Sequence, residues 1–194
     1  YDSCSRERVY RLFKDRFKCS SDVSALLSDL TTLTLQDGST VIPTGSPCAQ
    51  LVAFFAYQDM FNELHNLARN HGCKFSLYVD DLTFSSKMPF SNPAVFKKKL
   101  LQIVKRYGHS LSLSKTAYRG ADETKIVTGV AITKEGVSAI PNKLRYKIVQ
   151  GTAQSCAGDT STALSTLGRI SSARMIEPSS FPEAKRQVLL NLES

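Results

Sequence analysis

The sequence predicts an α+β fold in which antiparallel strand pairs carry helices on one face. Three observations predict it. Short β-branched or aromatic runs come in pairs joined by turn residues, at 32–43, 74–86 and 125–141. The segments between them place apolar residues at helical spacing. Finally, 42% of the 194 residues are apolar, enough for a core, yet no apolar run reaches the 18 residues or so of a membrane span.

Taken in order, "SRERVYRLFKDRF" sets Val9, Leu12, Phe13 and Phe17 on one helical face, with Ser5 as the cap. Residues 22–30 predict a second, short helix. "TLTLQDGSTVIP" predicts a hairpin turning at Asp37-Gly38. Ser46-Pro47 then predicts the start of the longest helix, with Leu51, Phe54, Phe55, Phe61, Leu64 and Leu67 as its apolar face and Gly72 as its stop. "KFSLYVDDLTFSS" predicts strand, turn and strand. Residues 91–107 predict a basic amphipathic helix ending at Gly108, and "HSLSLSK" a short alternating strand. "KIVTGVAITKEGVSAIP" predicts a hairpin turning at Lys134-Glu135-Gly136. From Asn142 onward three helical segments follow, broken near Gly158 and by Pro178 and Pro182. The expected division is residues 1–141 as one domain and 142–194 as a helical segment.

Charge is unevenly spread. The overall +8 resolves into +3 over residues 1–19, −4 over 20–92 and +9 over 93–150, with 151–194 balanced. A basic stretch following an acidic one suits a protein acting on a polyanion. The five cysteines are scattered and odd in number, which disfavours a disulfide framework or a structural zinc site and suits reduced thiols in the cytoplasm. His65, His71 and His109 form no metal-like cluster in the sequence.

The distinctive feature is the adjacent pair Asp80 and Asp81. Strand alternation would send the two carboxylates to opposite faces, so only a tight turn lets both approach one point. Held against a core by Leu77, Leu82 and Phe84, such a pair is a fixed negative site, and hard Mg2+ is the cation carboxylates favour.

The motifs around this pair resemble those of reverse transcriptases of the retron and group II intron type. "YVDD" (78–81) is similar to their Tyr-x-Asp-Asp motif, and "IPTGSPCAQ" (42–50) to their Leu-Pro-Gln-Gly-Ala/Ser-Pro motif. "LSLSKT" (111–116) resembles the later lysine motif, "IVTGVAI" (126–132) the Val-Thr-Gly segment, and "LGRISSARMIEP" (167–178) the start of the thumb. The resemblance implies a polymerase palm over 1–141 and a thumb-like segment over 142–194. It implies nucleotidyl transfer with two Mg2+ ions, an RNA template, a DNA or RNA primer end, dNTPs and a cognate structured RNA, with no membrane partner. Asp80 and Asp81 would be metal ligands, and Lys115 would donate a proton to the leaving pyrophosphate or neutralise it. Gly45, Ser46, Pro47, Tyr78 and Val79 would lie at the nucleotide and template, and Val127, Thr128 and Gly129 would open a hairpin gripping the primer.

The resemblance has gaps. "YDSCSRERVYRLF" is similar to the tail of the first catalytic motif, which places that motif's metal-binding Asp five residues before Tyr1, with Asp2 at a later turn position and the fingers region also absent. Thr44 stands where the family has Gln, Gln50 where a Pro often follows and Phe54 near a position often given to Asn. The expectation is a palm without its full carboxylate set, inactive as these 194 residues. The alternative is a catalytically degenerate reverse-transcriptase-like module binding nucleic acid or a protein. A different palm polymerase, such as an RNA-copying one, is a third option.

Overall fold

A computed structural model describes residues 4–90 and 92–193. Expectations that fall on Tyr1, Asp2 and Ser91 lie outside the described residues. The chain forms two compact units, residues 1–118 and 119–194. The expected boundary at 141/142 falls inside the second unit, between its small sheet and its helices.

In the first unit, α1 (Arg6–Arg11) is capped by Ser5, whose hydroxyl accepts from the Arg8 N–H. A π-helical turn follows (Leu12–Arg16), closed by the Phe17 N–H donating to the Leu12 carbonyl at 3.1 Å. The wider turn keeps Leu12 and Phe13 in the core but delivers Phe17 to solvent, 51% exposed, where a regular helix would have kept it on the buried face. The next helix, α2 (Ser21–Thr31), packs on α1 through Ser24 and Ser28. Both serines are fully buried, and their hydroxyls donate to the Ser20 and Ser24 carbonyls at 2.7 and 2.6 Å, so neither is an unpaired polar group. Strands β1 (Leu33–Thr34) and β2 (Thr40–Val41) form the expected hairpin around Asp37-Gly38.

The expected longest helix is two helices, α3 (Ala49–Ala56) and α4 (Gln58–Asn70), separated at Tyr57. Tyr57 leaves helical geometry (φ −115°, ψ 17°); its side chain is buried, and its hydroxyl accepts from the Ser5 N–H at 3.2 Å. The break turns α3, so the face predicted from periodicity is corrected. Ala49 and Val52 are buried, whereas Leu51, Phe54 and Phe55 are exposed. Met60, Leu64, Leu67 and Ala68 carry the burial on α4. Ser46 does not cap: Cys48 is the N-cap of α3, and the Ser46 hydroxyl lies 3.2 Å from the Cys48 thiol. Gly72 (φ 65°) ends α4 as predicted, with the Gly72 and Cys73 N–H groups closing on Arg69 and Ala68 carbonyls.

Strands β3 (Lys74–Tyr78) and β4 (Asp81–Ser85) pair in register Tyr78↔Asp81 through Lys74↔Ser85. α5 (Pro93–Arg106) is capped by Asn92, whose side chain accepts from the Val95 N–H, and is stopped at Gly108. The predicted strand over 109–115 is absent. That segment turns instead, with the Lys115 and Thr116 N–H groups donating to the Ser112 carbonyl, and it pairs with no strand among the described residues. The core of this unit joins Val9, Leu12 and Phe13 to Ile42, Val52, Leu64 and the buried face of α5.

The second unit begins with a three-stranded antiparallel meander, β5 (Lys125–Val127), β6 (Val130–Ile132) and β7 (Ser138–Ala139). It contains two turns rather than the one expected: Thr128-Gly129 joins β5 to β6, and residues 133–137 join β6 to β7. Three helices follow, α6 (Asn142–Cys156), α7 (Ala163–Ile176) and α8 (Pro182–Glu193), with a short 3-10 turn at Thr160–Thr162 before α7. α6, at 15 residues, is the longest helix among the described residues. Ile140, Ile148, Ile170 and Ala173 form its core. The α+β class holds: among the described residues the strands pair antiparallel, as three small sheets.

Candidate metal and nucleic-acid site

The acidic hairpin is built from its root outward. Phe75 and Phe84 face each other across β3 and β4, stacked at 5.1 Å, and Phe84 meets Phe96 of α5 edge-on at 5.0 Å. Phe90 closes on the same Phe96 ring at 5.0 Å. Leu82 also packs on the core, and Leu77, its cross-strand partner, is half-buried. The opposite face carries Ser76, Tyr78, Asp81 and Thr83.

The tip is a two-residue turn, Val79-Asp80. Val79 adopts φ 56°, a region that a β-branched side chain rarely enters. Asp80 is therefore a turn residue and Asp81 the first residue of β4, directly across from Tyr78. Both aspartates and Tyr78 are exposed. Neither carboxylate is engaged by a hydrogen bond or an ion pair among the described residues. Two adjacent, hydrated, unneutralised carboxylates are a donor set of the kind Mg2+ takes, through one or two carboxylates and retained water. Among the described residues, no group of three or more His, Cys, Asp or Glu gathers at this or any other point.

The other expected residues fall as follows. Gly45 sits in the turn before α3 at φ 92°, with nothing within 4 Å of where a Cβ would stand, so its glycine answers to backbone conformation and not to a close protein neighbour. Ser46 is half-buried and Pro47 exposed beside it. Lys115 is exposed on the turn after α5, and no hydrogen bond or ion pair joins it to Asp80 or Asp81. Val127, Thr128 and Gly129 form the β5–β6 corner in the second unit. Thr128 (φ 44°) and Gly129 (φ 84°) make up its turn, so Gly129 is a turn glycine and not a bulge within a strand.

The basic stretch over 93–150 divides into paired and unpaired cations. Arg106 forks onto Glu63, Arg119 meets Glu123, and Arg145 meets Glu177 at 2.7 Å. Lys97, Lys98 and Lys99 of α5 are exposed and make no ion pair among the described residues.

One cluster escaped the sequence reading. The Arg8 guanidinium lies 5.2 Å from the Tyr57 ring and 4.8 Å from the Tyr107 ring. Tyr107 donates to Glu63 at 2.9 Å, and His109 packs on Tyr57 at 4.3 Å. Burial raises the pKa of the Tyr57 hydroxyl and lowers that of the His109 imidazole. The sequence placed Tyr107 at the end of a predicted helix but Tyr57 in the middle of one, and periodicity cannot assign either ring to an arginine.

Among the described residues no helix is long and apolar enough to cross a membrane. No protein-family model matches the chain. Over 153 residues the chain is 29% identical to the Retron Se72 reverse transcriptase of Salmonella heidelberg (strain 579083-10). The match covers 76% of this chain but 39% of that protein, so the chain spans well under half the length of the curated relative that it resembles, a retron reverse transcriptase.

Proposed function

We propose that the chain is the palm and beginning thumb of a retron-type RNA-directed DNA polymerase, with Asp80 and Asp81 as its Mg2+ ligands. The observation that carries the reading is the acid pair itself: exposed, without an ion-pair partner among the described residues, and at the tip of a hairpin whose root is fixed by Phe75, Phe84 and Phe96. The motif order and the likeness to a retron reverse transcriptase support it.

In this reading magnesium, when bound, supplies Lewis-acid stabilisation of the attacking 3′ oxygen and the leaving pyrophosphate. The residues of the chain position and neutralise. Asp80 and Asp81 present carboxylate oxygens at a site fixed by strand register. Tyr78 and Val79 flank the primer end. Gly45, with open space above its backbone, admits the nucleotide and template beside Ser46 and Pro47. Lys115 protonates or neutralises the leaving group, and Val127, Thr128 and Gly129 contact the primer. The partners are an RNA template, a primer end, dNTPs and a cognate structured RNA, in the cytoplasm.

A second reading follows from the donor set. Asp80 and Asp81 are two carboxylates, and fixing two cations takes more. A catalytically degenerate module that binds nucleic acid or a protein would keep the fold and dispense with the metals. Two measurements separate the readings. Calorimetric titration with Mg2+ should show weak binding that Asp80→Asn abolishes. Primer extension by these 194 residues should give no robust Mg2+-dependent product. Efficient synthesis would refute the incomplete-site reading, and absence of any Asp80-dependent Mg2+ binding would refute the metal assignment.

A further inference from the structure

We infer that the first unit carries a platform for single-stranded nucleic acid, formed by Phe17, Phe55 and Phe54 with the arginines of α1 and the π-helical turn, and including no residue of the acidic hairpin. The proposal rests on the reading of the chain as a nucleic-acid-handling protein and adds a contact surface to it.

The rings form a continuous file. Phe17 meets Phe55 at 6.1 Å, Phe55 meets Phe54 at 5.3 Å, and Phe54 stacks on Phe61 at 5.5 Å with the planes 11° apart. Their exposure is unusual for phenylalanine: 51% for Phe17, 38% for Phe54 and 37% for Phe55. Two backbone features cause it: the π-helical turn swings Phe17 outward, and the break at Tyr57 goes with a rotated α3.

An open groove of about 470 Å³ runs beside Phe55, lined by Arg8, Arg11 and Arg16 and also by Asp15 and Asp59. Residues 4–19 hold six basic and two acidic side chains. Arg11 is paired with Glu7, and Arg16 with Asp59 and Gln58. Exposed pairs of this kind contribute little, so a phosphate can take the place of a carboxylate at small cost. Arg8, lying against two tyrosine rings, has no carboxylate ion pair among the described residues.

Flat apolar faces edged by cations match the two halves of an unpaired nucleotide, a base to stack and a phosphate to neutralise. Phenylalanine and arginine also suit a protein interface, but six basic against two acidic side chains over residues 4–19 favour a polyanion as the occupant. Asp15 and Asp59 disfavour a compact anion lodged inside the groove, and so favour an extended strand laid across the rings.

The test is fluorescence anisotropy with a labelled uridine strand of about 12 nucleotides, and with an RNA duplex of the same length as competitor. The single strand should bind and the duplex, whose bases are already stacked, should compete poorly. Phe17→Ala/Phe55→Ala should weaken binding by about tenfold or more, with unchanged circular dichroism because both side chains are exposed. Phe17→Leu/Phe55→Leu, which keeps apolar bulk but not a ring, should weaken it similarly. Arg11→Gln/Arg16→Gln should reduce the slope of log affinity against log salt by about 1.4. Full affinity in the Ala or the Leu variant would overturn the proposal, as would equal competition by the duplex. A concentration-dependent dimer that the Ala variant abolishes would reassign the rings to a protein interface and also overturn it. Mg2+ titration of Asp80→Asn keeps the readings apart, because ring-dependent strand binding without metal binding sinks the catalytic assignment alone, and the reverse sinks the platform alone.

Discussion

Gly151→Ala tests the packing of the helical segment in the second unit. Gly151 lies in the middle of α6, where alanine is intrinsically better by about 1 kcal/mol. The structure opposes that gain. A Cβ at Gly151 would overlap the Thr166 hydroxyl of α7 and stand 3.3 Å from both Thr166 Cβ and Cγ2. Thr166 is fully buried, β-branched and committed, its hydroxyl donating to the Thr162 carbonyl at 2.8 Å. Rotating it would break that bond and swing Cγ2 toward the same space. Overpacking of this kind costs about 1–3 kcal/mol, so Gly151→Ala should be destabilising by about 1 kcal/mol net, against the propensity scale. Thr166→Ala removes the obstruction, and the double variant should recover the helix gain, giving a coupling of at least about 1 kcal/mol in a double-mutant cycle. Urea unfolding followed by circular dichroism measures all four proteins. A Gly151→Ala variant more stable than the parent would show that α6 and α7 are not in contact at this crossing.

Other consequences are directly measurable. Asp80→Asn and Asp81→Asn should leave stability within about 0.5 kcal/mol, since both residues are exposed and make no ion pair among the described residues, while abolishing Mg2+ binding in calorimetry; a large loss of stability would mean the acids serve the fold. Ser155→Ala should raise stability by about 1 kcal/mol in urea melts, because the Ser155 hydroxyl is buried without a hydrogen-bond partner among the described residues; a clear loss would reveal a hidden partner. His109 should make stability depend on pH. Burial, with Arg8 adding to it, holds its pKa in the folded state below the ordinary value of about 6.5. The unfolded chain therefore binds the proton first. The His109 contribution is fully present above about pH 6.5 and is lost as pH falls from there toward the folded-state value. His109→Gln should flatten the melting temperature between pH 7 and 5.5 relative to the parent, and parallel curves would remove His109 as the cause.

Local chemistry was legible wherever a backbone requirement has a residue signature. Gly38, Gly72, Gly108 and Gly158 lie at positive φ in the places predicted for them, or one residue away, because turns and helix stops favour glycine there. Features set by tertiary contact were not legible. Periodicity runs unbroken through Tyr57, and the break there accompanies a hydrogen bond to Ser5, distant in sequence. Leu111 and Leu113 alternate with serines as a strand would, but the segment pairs with no strand among the described residues and the backbone turns on Ser112, leaving Leu111 on the core and Leu113 at 62% exposure. In the candidate site the turn under the acid pair was deduced from the need to bring both carboxylates to one point. The aromatic file of Phe17, after the π-helical turn, with Phe54 and Phe55 of α3 and Phe61 of α4 was not foreseen, because periodicity assigned all its rings to the core.

The acid pair owes its position to aromatic packing more than to its own turn. Val79 is a poor turn residue: a β-branched side chain at φ 56° costs about 1–3 kcal/mol, and glycine would sit there without strain. A hairpin with an unfavourable turn is prone to slip, and a slip of one residue would exchange the two faces of a strand. Asp81 would then point where Leu82 packs, and the charge would meet the core. The register Phe75↔Phe84, locked by the edge-on contact of Phe84 with Phe96, opposes that slip, because shifting either strand would withdraw a ring from the core. The carboxylates therefore stay in water because Phe75 and Phe84, half-buried, and Phe96, buried, stay packed on the core. Phe96→Ala should accordingly loosen the acidic tip, even though Phe96 is a residue of α5 and not of the hairpin that carries the acids.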